Sequence, residues 1–216
     1  AERYFAVNAA DWDTIRALHV AEKDVEAAMV EVIGAKPFET LLDLGTGTGR
    51  LLELFAPLYQ RAVGIDASTA MLAVARANLD RAGVSHAQVR LGDVYNLPLP
   101  RNAFDVVTVH QVLHYLEEPE RAIAEAARVM APGGRLLIVD FAPHALEFLR
   151  ERHAHRRLGF GHRPMAQWVA AAGLELDKAR DLSAGGAADD KLTVTLWLAR
   201  DRRRIVAGDN RQQEVA

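Results

Sequence analysis

The chain has 216 residues, half of them hydrophobic, with a formal net charge of −3 and no cysteine. Its length and apolar content suit one α/β domain with appendages, and its weakly acidic balance implies no general attraction to nucleic acid. The lack of cysteine excludes disulfides, thiolate metal sites and cysteine nucleophiles; with no run near the roughly 20 apolar residues of a membrane span and no visible signal peptide, a soluble cytoplasmic protein is expected.

Residues 1–7 are short and apolar, with Tyr4 and Phe5. Residues 9–18 and 22–32 show helical spacing, through Ile15 and Leu18 and then Val25, Met29 and Val32. Gly34 and Pro37 end the second helix. Residues 41–50 read LLDLGTGTGR. An apolar run enters Asp43, glycines alternate at Gly45, Gly47 and Gly49, and a helix-forming run begins at Arg50. This is a buried strand, a glycine turn and a helix start. A ligand can lie against the bare backbone of such a turn, facing the free N–H groups of the new helix. The next apolar run, residues 62–65, ends in Asp66, about 20 residues beyond the first glycine, where an acid bonds ribose hydroxyls. A nucleoside-containing cofactor follows from this constellation.

Ser68 is an N-cap candidate for a helix over residues 71–81. Residues 88–91 form the third strand, 104–109 the fourth and 136–140 the fifth, with a helix over 119–130 between the last two. Pro143 starts a further helix over 144–157, residues 158–161 break it, and 164–172 are helical up to Gly173. Residues 174–182 and 191–199 read as two strands across a Gly- and Ala-rich link, 184–188, and the strict alternation over 192–198 marks an antiparallel strand. The polar stretch from 201 to 216 lacks periodicity and is expected to be partly disordered. Strands alternating with helices predict a doubly wound α/β fold, a mostly parallel seven-stranded sheet with an antiparallel final strand and helices on both faces. Ligands of such sheets lie outside the strands' carboxyl ends, where Asp43, Asp66, Asp93, His110 and Asp140 fall.

The glycine pattern departs from the dinucleotide turn G-x-G-x-x-G, because its third glycine comes one residue early and Arg50 stands where that pattern has Gly. Asp43, two residues before the turn, repels a pyrophosphate but suits an ammonium group, which disfavours a nicotinamide oxidoreductase. S-adenosylmethionine carries an ammonium and no phosphate. At this point the sequence resembles the class I S-adenosylmethionine-dependent methyltransferases, whose first motif LDLGTGTG is similar to. GIDAS (64–68), GDVYNLPLP (92–100), FDVVTVHQVLHYL (104–116) and PGGRLLIVDF (132–141) resemble the following motifs in order, so the resemblance covers about residues 40–141. WDTIRALHV, HQVLHYL, RLLIVDFAPH, HAHRRLGF and KLTVTLWLARD also resemble the methyltransferase half of bacterial proteins fused to an ArsR-type DNA-binding domain, over roughly residues 4–201.

The resemblance implies S-adenosylmethionine as cofactor and S-adenosylhomocysteine as product. It implies cofactor contacts at Asp43, Gly45, Thr46, Gly47, Gly49, Asp66, Ala67, Met71, Gly92, Asp93, Val94 and His110, with Asp66 on the ribose and Asp93 at the adenine amino group. It makes residues 1–36 a helical lid, 37–200 the cofactor-binding domain and 201–216 a tail. Tyr4, Trp12 and His19 of the lid become candidate substrate contacts, although Trp12 equally suits a core anchor. Arsenite methylation is disfavoured, because those enzymes bind arsenic through thiols. The Asn/Asp-Pro-Pro-aromatic motif of many amino methyltransferases is absent after the fourth strand, which disfavours DNA and amide nitrogen. The expected activity is methyl transfer to a small-molecule O, N or C nucleophile, with no nucleic acid or membrane bound by this domain and a homodimer as one possible assembly. The second hypothesis is a non-catalytic sensor of cofactor or product in a transcriptional regulator.

His110 and His114 are four apart past the fourth strand, and both rings share a face if a short helix starts there. Without a third ligand nearby no metal is expected; a general base is the better reading, since His titrates near neutrality, set against a hydrogen-bonded structural histidine. His153 is a further substrate candidate, in an Arg-rich run with Arg150, Arg152, Arg156, Arg157, His162 and Arg163 that suits either an acidic substrate or a solvated face. On a helix His153 and His155 diverge by about 200° and cannot share a ligand.

Overall fold

A computed structural model of the chain describes Val7, Ala9, residues 22–183 and residues 192–203. Tyr4, Trp12, His19, all but Ala9 of the helix expected over 9–18, the 184–188 link and the tail from 204 onward lie outside the described residues. The elements run α1 (Glu22–Ile33), β1 (Phe38–Leu44), α2 (Arg50–Leu54), β2 (Tyr59–Asp66), α3 (Thr69–Ala82), β3 (Ala87–Leu91), β4 (Phe104–His110), a 3-10 turn (Leu113–Tyr115), α4 (Pro119–Val129), β5 (Met130–Phe141), α5 (Phe148–His153), α6 (His162–Ala171), β6 (Glu175–Ser183) and β7 (Thr193–Arg200).

The seven strands form one sheet in the order β3-β2-β1-β4-β5-β7-β6. β1 pairs in parallel with β2 and β4, and β7 runs antiparallel to β5 and β6. The central strands are apolar without a break because helices cover both faces. Leu41, Val106 and Leu137 enter the core shared with α1, α2 and α3. Their neighbours Leu42, Val107 and Ile138 enter the opposite core, with α4 and α6. Strand order reverses between β1 and β4, which opens a crevice at their carboxyl ends.

Ser68 caps α3, its hydroxyl accepting from the Met71 N–H at 3.3 Å. Ser68→Ala should therefore cost about 1 kcal/mol of stability, the usual value of a side-chain N-cap. Urea unfolding followed by circular dichroism checks this, and an unchanged midpoint would show that the bond contributes nothing.

Four expectations change. The helix before β5 stops at Val129, and β5 already begins at Met130 instead of 136, with the 132–134 turn inside it as an irregular stretch where Gly133 has φ +78°. The helix expected over 144–157 shrinks to Phe148–His153. Its first residues are diverted because the His144 N–H donates to the Leu158 carbonyl at 3.0 Å, and Ala154 at φ +58° turns the chain out of the helix. Helix α1 buries Val25, Ala28, Met29 and Ile33 in the core, so this stretch of the segment expected as a lid over 1–36 packs into the domain. The domain also runs past 200: buried Asp201 donates its N–H to the Gly134 carbonyl at 2.9 Å, and its carboxylate holds Arg203.

Candidate cofactor and active site

The loops after β1, β2, β3 and β4 enclose a cavity of about 350 Å³. The glycine turn builds its floor. Gly45 has φ +68°, and a Cβ there would meet Val112 Cγ2 at 2.4 Å, so only glycine lets the loop after β4 close on this turn. The Gly45 and Thr46 N–H groups both donate to the Ile65 carbonyl, which ties the turn to β2. Asp66 then fixes the turn's centre: one carboxylate oxygen accepts from the Gly47 N–H at 2.8 Å and the other from the Ser68 N–H at 2.8 Å. Burial raises the pKa of Asp66, and these backbone donors oppose that rise.

Asp43 is buried and accepts from the Thr108 hydroxyl at 2.7 Å. Asp93 orders its own turn by accepting from the Tyr95 N–H at 2.9 Å, and its side chain borders the cavity. Arg50, a cation of the lining, donates from Nε and Nη2 to the two Glu26 carboxylate oxygens of α1, each at 2.6 Å. A guanidinium so occupied is not presented to a phosphate. The cavity offers three carboxylates, Asp43, Asp66 and Asp93, and a buried Thr46 hydroxyl oxygen with no partner among the described residues. This donor set fits a cationic, hydroxyl-bearing nucleoside such as S-adenosylmethionine and does not fit a pyrophosphate.

Of the expected cofactor contacts, Asp43, Gly45, Thr46, Gly47, Asp66, Ala67, Met71, Asp93, Val94 and His110 line the cavity, and Gly49 and Gly92 do not. Gly49 instead lets α2 approach α3, since a Cβ there would sit 3.3 Å from that of Ala75. Gly92 lies over Ile65, whose Cγ2 would be 2.9 Å from an added Cβ. Arg50, Ser68, Gln111, Val112, Tyr115 and Leu116 also line the cavity and were missed. The loop after β4 carries no local pattern that marks the last four of these.

The two histidines part company. Gln111 adopts φ +53°, which breaks any helix between them, so their rings share no face. His110 borders the cavity, and His114 is 1% exposed beneath it. His114 Nδ1 lies 2.7 Å from Oδ1 of Asp140, itself 0% exposed. The His114 ring packs on Tyr115 at 4.0 Å, His155 at 4.1 Å and Phe141 at 5.1 Å. His153 ends α5 against Phe148 and does not line the cavity; Ala154 turns the chain so that His155 enters the core instead. The basic run is largely tied down: Arg156 pairs with Glu117 at 3.7 Å, Arg157 donates to the Glu117 carbonyl at 2.7 Å, and Arg150 donates to the Arg156 carbonyl at 2.8 Å. Among the described residues no group of three metal-ligating side chains occurs, and no helix is long and apolar enough to cross a membrane.

Residues 42–138 match the methyltransferase domain family. The chain is 36% identical to a demethylmenaquinone methyltransferase of Thermobifida fusca over 146 residues, 66% of this chain and 58% of that one. It is 32% identical to the uncharacterized methyltransferase YcgJ of Bacillus subtilis over 124 residues, 57% of this chain and 49% of that one. The chain thus spans about half the length of these curated relatives. A crystal structure of an S-adenosylmethionine-dependent methyltransferase from Aquifex aeolicus superposes with a TM-score of 0.65 at 20% identity, covering 81% of this chain and 88% of that one. The narrower resemblance to ArsR-type fusions gains no support from these relatives. Residues 42–138 are thus similar to a methyltransferase domain, and the chain shares the fold of the Aquifex aeolicus S-adenosylmethionine-dependent methyltransferase.

Proposed function

We propose that the chain is an S-adenosylmethionine-dependent methyltransferase acting on a small molecule. The observation that carries this reading is the crevice itself, three acids at adjacent strand ends with Arg50 neutralised by Glu26. When bound, S-adenosylmethionine supplies a methyl group already activated on a sulfonium. Asp43 and the 45–47 turn hold its ammonium end, Asp66 accepts from the ribose hydroxyls, and Asp93 faces the adenine amino group. The protein's remaining work is alignment, exclusion of water and removal of a proton. His110 borders the reacting end of the crevice, and His114, one ring behind Tyr115, takes the proton. The demethylmenaquinone methyltransferase among the relatives makes quinone-type compounds the first acceptors to screen, beside other O, N and C nucleophiles. Calorimetry should show S-adenosylmethionine and S-adenosylhomocysteine binding and NAD not binding. Labelled methyl transfer into a metabolite extract should then identify the acceptor. Binding of NAD in preference would overturn the assignment.

Residues 1–21 serve as the lid, with Tyr4, Trp12 and His19 as substrate contacts. The support is the Glu26–Arg50 pair, which ties α1, the helix following that segment, to the wall of the crevice. Lids of this kind exclude water from transfer chemistry. Deleting residues 1–20 should leave a folded sheet and raise the cofactor dissociation rate in stopped-flow experiments; equal off-rates would rule the lid out.

A further inference from the structure

Asp140 is a wholly buried carboxylate near the tip of β5, outside the cavity lining. Its Oδ1 accepts from the Phe141 N–H at 2.8 Å and faces His114 Nδ1 at 2.7 Å, and its Oδ2 accepts from the His114 N–H at 3.4 Å. Both carboxylate oxygens already accept a backbone N–H, which makes Asp140 the acceptor and the ring nitrogen the donor. A neutral imidazole with its proton on Nδ1 carries a bare lone pair on Nε2. That Nε2 is buried and has no hydrogen-bond partner among the described residues. Buried polar atoms are nearly always bonded, so an exception asks for a ligand or a function. The groups that face the ring are Asp140, the His155 ring from the turn after α5, the Phe141 ring and the Tyr115 ring, and Tyr115 lines the cavity. The Arg156 and Arg157 N–H groups both donate to the His114 carbonyl, so the backbone holds this cluster closed from outside.

We infer that Asp140 is a positioning residue that locks His114 in the Nδ1–H tautomer and makes Nε2 the proton acceptor of the methyl-transfer step. The inference rests on the reading of His114 as base. In that step a bond forms between the acceptor atom and the methyl carbon, the carbon–sulfur bond breaks, and its electron pair stays on sulfur. The proton displaced from the acceptor atom passes to Nε2 through one water, and the imidazolium so formed is stabilised by the Asp140 carboxylate until the same path returns the proton.

Nitrogen NMR of the full chain labelled in its histidine rings, with S-adenosylhomocysteine bound, reads the tautomer directly. The wild-type ring of His114 should show a protonated Nδ1 and a bare Nε2. In Asp140→Asn the amide can present N–H to Nδ1 and force the opposite tautomer. That variant should keep its affinity for S-adenosylhomocysteine and lose turnover by roughly 10²–10⁴-fold, the range of general-base loss. In a His114→Gln background the same change should cost nothing more. A wild-type spectrum with the proton on Nε2 overturns the inference and needs no variant to fold. Full turnover in Asp140→Asn with an inverted tautomer also overturns it. The expected tautomer together with full turnover in His114→Gln defeats the base reading instead, and reduces Asp140 to a packing partner.

Discussion

His114→Ala should lower the turnover rate by roughly two to four orders of magnitude, as expected for loss of a general base, while cofactor affinity changes little. The split follows from geometry. The proposed cofactor contacts lie along the cavity wall from Asp43 to Asp93, and His114 is not among the lining residues. Its ring instead lies behind Tyr115, which is. Truncation also leaves the buried Asp140 carboxylate with only backbone donors, the Phe141 N–H at 2.8 Å and the His114 N–H at 3.4 Å. Stability should fall as well, because the truncation removes a hydrogen-bond partner from a buried carboxylate. Turnover is therefore measured per mole of cofactor-binding protein, with affinity from calorimetry on the same sample. Full turnover in protein that binds cofactor normally would return His114 to a structural role.

Asp66→Ala should weaken binding of S-adenosylmethionine by about 2–3 kcal/mol, the loss of a charged acceptor for buried donors. The side chain does two jobs at once. It is the acid at the end of β2 that ribose hydroxyls would meet, and it pins the Gly47 N–H and thereby the glycine turn. The pH dependence gives a second readout. Burial lifts the Asp66 pKa above the ordinary aspartate value, against the pull of the Ser68, Gly47 and Ala67 amides. Binding needs the carboxylate, so affinity should fall as pH is lowered through this raised value, earlier than an ordinary aspartate would allow. In the free protein the sign is opposite. A carboxyl whose folded-state pKa is raised contributes stability below its unfolded value, and that contribution is lost as pH rises through the folded one. Asp66→Ala should remove both effects. Calorimetric titrations from neutral to mildly acidic pH check the first, and an affinity profile shared by variant and wild type would remove Asp66 from the ribose site.

The sequence by itself determined the doubly wound sheet, the place of the crevice and most of its wall. Each of these rests on local pattern. Unbroken apolar runs mark strands covered on both faces, glycine spacing marks a turn that bare backbone must line, and Asp43, Asp66 and Asp93 stand at or just past strand ends read from the same runs. Ser68 was legible as a cap because a cap and its partner are three residues apart. The tertiary structure alone decided how the histidines are used. A left-handed Gln111 separates His110 from His114, and the turn at Ala154 delivers His155 rather than His153 to the inner cluster. It also decided that Arg50 is spent on Glu26, 24 residues earlier, and that His114 meets Asp140, 26 residues later. Pairings at that distance leave no trace in periodicity or spacing, because they arise only when strand order brings the tips of β4 and β5 side by side and packs α1 against the wall of the crevice.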